Sequence, residues 1–80
     1  SSALPVPNPT RVLRLASRMR GDLTINRTAM ELNMGYAEAE AELDALHQLG
    51  SCHLVVGDAG FVVYRFPEFL PPDAPKLTEV

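Results

Sequence analysis

The stretch GDLTINRTAMELNMGYAEAEAELDALHQLGSCHLVV, residues 21–56, decides the fold. Thr24 stands where a hydroxyl can cap a helix, and Ile25, Ala29 and Leu32 then recur on one face of a short helical run. Asn33-Met34-Gly35 breaks that run. A longer helix is predicted from Tyr36 to Leu49, with Ala39, Leu43 and Leu46 as its core stripe and Glu38 in the first turn, where a carboxylate suits the helix dipole. Gly50 ends it. From Cys52 the residue types change. Cys52–Val56 and Phe61–Phe66 are rich in β-branched and aromatic side chains, and Gly57-Asp58-Ala59-Gly60 joins them as a β-hairpin.

Upstream, Ser1 to Pro7 is proline-rich and aperiodic, so residues 1–8 read as an extended lead-in. Asn8 then caps a first helix with Pro9 at its opening position, where the missing N–H costs nothing. Val12, Leu15, Ala16 and Met19 form its buried stripe, and Gly21 is placed to end it in a left-handed conformation. Leu23-Thr24 reads as an extended pair between helices one and two. After Pro67 the chain is again proline-rich, and residues 67–80 read as a tail or linker. The domain proper is thus residues 9–66: an α+β unit of three helices followed by a two-stranded hairpin.

The bulk properties agree with one small soluble module. Eighty residues hold a single core, and 46% hydrophobic with 21% charged residues excludes a disordered or collagen-like chain. No apolar run approaches the roughly 18 residues of a membrane span, and Ser1–Pro9 has no signal-peptide pattern, so a cytoplasmic location and no membrane insertion are expected. The first residue is Ser, which reads as a processed chain or a piece of a longer one. The single cysteine, Cys52, makes no internal disulfide.

The order of elements, with residues 33–35 as the turn and 57–60 as the wing, resembles that of bacterial winged helix-turn-helix domains, in which "LT" leads into helix two and a helix like EAEAELDALHQLG leads into the first wing strand. The ending VVYRFPEFL is similar to small winged-helix segments of unassigned role appended to larger bacterial proteins. The resemblance covers residues 9–66 and implies a third helix that, in DNA-binding members, enters the major groove.

Charge patterning argues against that use here. The net charge is −3, but residues 1–30 carry Arg11, Arg14, Arg18, Arg20 and Arg27 against Asp22 alone, whereas residues 31–60 carry Glu31, Glu38, Glu40, Glu42, Asp44 and Asp58 with no Lys or Arg. At 100° per residue the outward side of helix three holds Ala37, Glu38, Ala41, Asp44, Ala45 and Gln48, of which only Gln48 is a usual base reader. Carboxylates there face a polyanion without compensating cations, and Asp58 is the wing's only charge. Were DNA nevertheless the partner, Arg11, Arg14, Arg18, Arg27 and Gln48 would touch it; otherwise the arginines form a solvated stripe or pair with the acidic helix three.

Catalysis and metal binding fare no better. Cys52 and His53 are adjacent in a strand and point to opposite faces, so they form no nucleophile–base pair. His47, Cys52, His53 and Asp58 match no zinc spacing, and Gly57-x-x-Gly60 joins two strands rather than opening a helix. The sequence therefore predicts no enzyme, no catalytic or metal residue and no cofactor.

The hairpin suggests a different role. Phe61, Val63 and Arg65 alternate with Val62, Tyr64 and Phe66, and Arg65 places the first set outside. Val55, Phe61 and Val63 are then candidate contacts for another protein or a second copy, unless Leu4 and Val6 or Phe69 and Leu70 fold back over them. Ala37, Ala41 and Ala45 form a second candidate strip, smooth enough for close approach of a helix. The expected function is a protein-interaction or oligomerisation module of a larger bacterial regulatory or membrane-associated protein; the alternative is a DNA-binding regulator domain.

Overall fold

In the computed structural model, residues 9–80 are described. The expected Asn8 cap and any fold-back of Leu4 and Val6 lie outside them. Helix α1 spans Pro9–Arg18, strand β1 Asp22–Leu23, helix α2 Ile25–Leu32 and helix α3 Tyr36–Gln48. Strands β2, His53–Val56, and β3, Val62–Arg65, form the hairpin; a 3-10 turn at Pro67–Phe69 and strand β4, Thr78–Glu79, follow.

The helices start and stop as their end residues dictate. The Thr24 hydroxyl accepts from the Arg27 amide at 3.0 Å, capping α2, and Asn33 closes it in a left-handed conformation. Arg20 and Gly21 both take positive φ after α1, and Gly21 leaves no room for a side chain: a Cβ there would stand 2.9 Å from the Phe66 carbonyl oxygen. That closeness sets the sheet, because the Phe66 amide donates to the Gly21 carbonyl at 2.8 Å.

The core joins all three helices to one face of the sheet. Val12, Leu15 and Ala16 of α1 meet Leu32 of α2, Leu43 and Leu46 of α3, and Leu23, Cys52, Tyr64 and Phe66 from the sheet side. Met19, expected in the α1 stripe, is more than one-third exposed because the helix has already ended at Arg18. Glu42, one of the acids of α3, is buried at the margin of its core stripe.

The sheet has four antiparallel strands in the order β1-β3-β2-β4 rather than the two expected. Registers Leu54↔Tyr64 and Val56↔Val62 put those side chains on the core side, and Val55↔Val63 and His53↔Arg65 on the other. The parity read from Arg65 therefore holds, but its consequence, an exposed outer set, holds for Phe61 and not for Val55, which is buried, or for Val63, which is half-buried. The chain's own tail lies against the far side, where the Pro75 carbonyl meets the Arg65 side chain, and ends as an edge strand: β4 pairs Glu79 with Val55 and Thr78 with Val56, and the Val80 amide donates to the Leu54 carbonyl. Arg65 is itself buried, its Nε and Nη2 donating to both Asp22 carboxylate oxygens at 2.8 and 2.9 Å and its Nη1 to the Pro75 carbonyl at 2.6 Å. The hydrogen bond to Asp22 holds the guanidinium pKa above its ordinary value, against the opposing effect of burial. Phe69 packs against the core, and Leu70 lies over Gly21.

Candidate functional site

With the tail in place, the sequence-derived contact residues separate. Val55 is only 3% exposed and so is not a free contact residue. Val63 is half-buried, while Phe61, just outside β3, is 66% exposed. Ala37 and Ala41 are exposed. Ala45 is half-buried and lines a cleft of about 240 Å³ with Pro9, Glu42, Leu46 and Leu49.

The apolar surface that remains gathers elsewhere. At the turn end of the hairpin Val56 and Val62 point to the core side yet stay partly open, and Phe61 flanks them. Opposite them stands Tyr36, the first residue of α3, also more than half exposed. Thr24, Ile25 and Asn26 at the start of α2 close the end, and with Tyr36, Phe61 and Val62 they bound a groove of about 290 Å³. Its walls carry no formal charge. The sequence signal for it is divided: Phe61 stands in the outer strand set, whereas Tyr36 reads as a helix start and Val62 as an inward strand position.

Along α3 the same side continues from Tyr36 to Glu40 and Asp44, one turn apart each. The Tyr64 hydroxyl donates to Asp44 Oδ1 at 2.5 Å. Burial first, then that hydrogen bond and the negative charges of Asp44 and Glu40, hold the Tyr64 hydroxyl protonated well above its usual range. Neighbouring Cys52 is fully buried, and burial aided by Asp44 pushes its thiol up to about 11. A protonated, enclosed thiol is a poor nucleophile. His53 lies on the opposite face, its Nδ1 3.9 Å from Glu79 Oε1. Among the described residues no group of three or more His, Cys, Asp or Glu side chains is arranged to hold a metal ion, and no helix is long and apolar enough to cross a membrane.

The arginines are dispersed. Arg11 donates through Nη2 to the Leu32 carbonyl, tying α1 to the end of α2, and Arg27 pairs with Glu31 at 3.4 Å one turn along the same helix. Arg14 and Arg18 lie exposed on α1, and Gln48 is exposed at the far end of α3. None of these five lines the groove.

Comparison with protein-family models, with curated proteins and with solved structures finds no match to this chain.

Proposed function

We propose that this chain is a winged helix-turn-helix domain that acts without catalysis as a protein-interaction module, using the groove between the start of α3 and the hairpin tip. The fold reading is supported by the order α1-β1-α2-α3-β2-β3 and by the three-residue turn between α2 and α3. The observation that carries the functional reading is the gathering of Tyr36, Phe61 and Val62, each at least half exposed, around one uncharged concavity. Single exposed apolar residues are ordinary on a protein surface, but several lining one groove mark a surface that another molecule covers.

The second reading, a DNA-binding regulator domain, has the free Arg14 and Arg18 in its favour. It would lay Glu40, Asp44 and a wing whose turn carries Asp58 against phosphates, with no cation there to release counterions. Two titrations separate the readings. Phenol followed by amide chemical shifts should perturb Ile25, Asn26, Tyr36, Phe61 and Val62 first, because small aromatic probes report apolar hot spots. Duplex DNA at about 150 mM salt should produce no specific change in fluorescence anisotropy. Submicromolar, sequence-dependent DNA binding lost in Arg14→Ala or Arg18→Ala would establish the regulator reading instead.

A further inference from the structure

We infer that the occupant of this groove is a short protein segment that sets an aliphatic or aromatic anchor beside a lysine or arginine. The inference rests on the protein-docking reading above and adds the chemistry of the partner.

The floor calls for an anchor. Ile25, Tyr36, Phe61 and Val62 present apolar surface, and a volume of about 290 Å³ accommodates one or two large side chains rather than a folded face. Thr24 already accepts from the Arg27 amide, so the Asn26 side chain is the polar group at that end suited to a segment's backbone.

The surround calls for a cation. Glu40 is exposed one turn beyond Tyr36, and Asp44, half-buried, follows it. On the hairpin, Asp58 is exposed in the turn. The nearest cation in sequence, Arg27, is matched by Glu31 on its own helix. An apolar floor edged by net negative charge favours a basic neighbour to the anchor and repels an acidic one.

A second copy of this chain meets those demands poorly. Of its exposed cations, Arg14, Arg18 and Arg20 sit on or just after α1, whose Val12, Leu15 and Ala16 are committed to the core, with the partly exposed Met19 as the anchor beside them; Arg11 is tied to the Leu32 carbonyl, Arg27, three residues before the exposed Met30, is matched by Glu31, and Lys76 adjoins Leu77, which is half-buried. A two-fold pairing of groove on groove would bring the acidic surrounds of both copies together.

The test is a selection of random 12-residue segments displayed on phage, with the chain of residues 1–80 as bait. Enriched sequences should place Leu, Ile, Phe, Met or Trp within four positions of Lys or Arg. Synthetic versions should bind Phe61→Ser at least tenfold more weakly. They should bind Glu40→Gln about three- to fivefold more weakly, the size of one exposed ion pair, with that second loss erased near 0.5 M salt, where the Debye length is only about 4 Å. Circular dichroism establishes that both variants are folded. Enriched segments that need Phe61 but show no basic preference, or ignore Glu40→Gln, overturn the inference and leave the docking reading standing. Segments indifferent to Phe61→Ser, or no enrichment at all, overturn both. Concentration-dependent self-association in sedimentation, lost in Phe61→Ser, makes a second copy the occupant and also overturns it.

Discussion

Replacing Asp22 with Ala should be among the most damaging single changes available to this domain. Arg65 is almost fully enclosed, its side chain 9% exposed, and three of its donors are taken: two by the Asp22 carboxylate and one by the Pro75 carbonyl. Removing Asp22 leaves a permanently charged guanidinium with two unmatched donors under the tail. Breaking a fully buried pair costs about 3–5 kcal/mol, and an exposed one about 0.2–1 kcal/mol. Asp22 is 38% exposed, so water can enter on its side and partly replace it, which places Asp22→Ala near 2–3 kcal/mol. Arg65→Met keeps the apolar stem and removes the charge, while the remaining carboxylate can be hydrated; about 1 kcal/mol is expected. The double variant should resemble Arg65→Met, giving a coupling energy of about 2–3 kcal/mol in magnitude. For a domain of this size, Asp22→Ala then corresponds to a fall in Tm of roughly 10–20 °C. Urea and thermal unfolding at pH 7, followed by circular dichroism, read all four forms. Asp22→Ala within 0.5 kcal/mol of the parent, or Arg65→Met costing more than Asp22→Ala, would refute the reasoning.

Gly21→Ala should cost about 2–3 kcal/mol in urea unfolding, because it adds a left-handed strain to a 2.9 Å approach to the Phe66 oxygen; Gly50→Ala, with positive φ but open space, should cost about 1 kcal/mol. Phe61→Ser combined with Val62→Thr should shift stability by no more than about 0.5 kcal/mol per site, since neither side chain belongs to the core. Alkaline pH should weaken the fold. Cys52, pushed up to about 11, and Tyr64, also raised, stay protonated in the folded state while the unfolded chain releases their protons, so the native state binds more protons. Their contribution is complete below pH 9 and is lost as pH rises, between about 9 and 11 for Cys52 and from about 10 upward for Tyr64, with a slope of at most about 1.4 kcal/mol per pH unit for each group. Cys52→Ala should flatten the lower part of that decline in a series of melts; an unchanged decline would remove Cys52 as its source.

The helices were legible in the sequence because local chemistry marks their ends: Thr24, Gly21 and Gly50 do in the structure what their side chains, or lack of one, suggest. The hairpin was legible for the same reason, and alternation about Arg65 gave the correct faces. What could not be read was coverage. The tail bears Leu70, Ala74 and Leu77 without helical or strand periodicity among its prolines, and β4 is held by backbone pairing over two residues, which leaves little compositional trace. Val55 and Arg65 are both buried on the tail's side of the sheet, so both were misplaced. The groove escaped for a related reason. Tyr36 and Val62 come from different elements, and Val62 stays half exposed although it faces the core side. Glu42 and Met19 show the same limit from the helical side, where a position at the edge of a stripe is buried or exposed according to what lies opposite.

The central claim, that the face between the start of α3 and the hairpin tip is a protein-docking groove, is tested most directly by mapping one selected segment onto the labelled domain through amide and side-chain chemical shifts. The account predicts that the largest changes at saturation fall on Ile25, Asn26, Tyr36, Glu40, Phe61 and Val62, with Arg14 and Arg18 undisturbed. Changes centred on the α1 arginines, or on the cleft of Pro9, Ala45 and Leu49, with the groove residues unmoved, would contradict it.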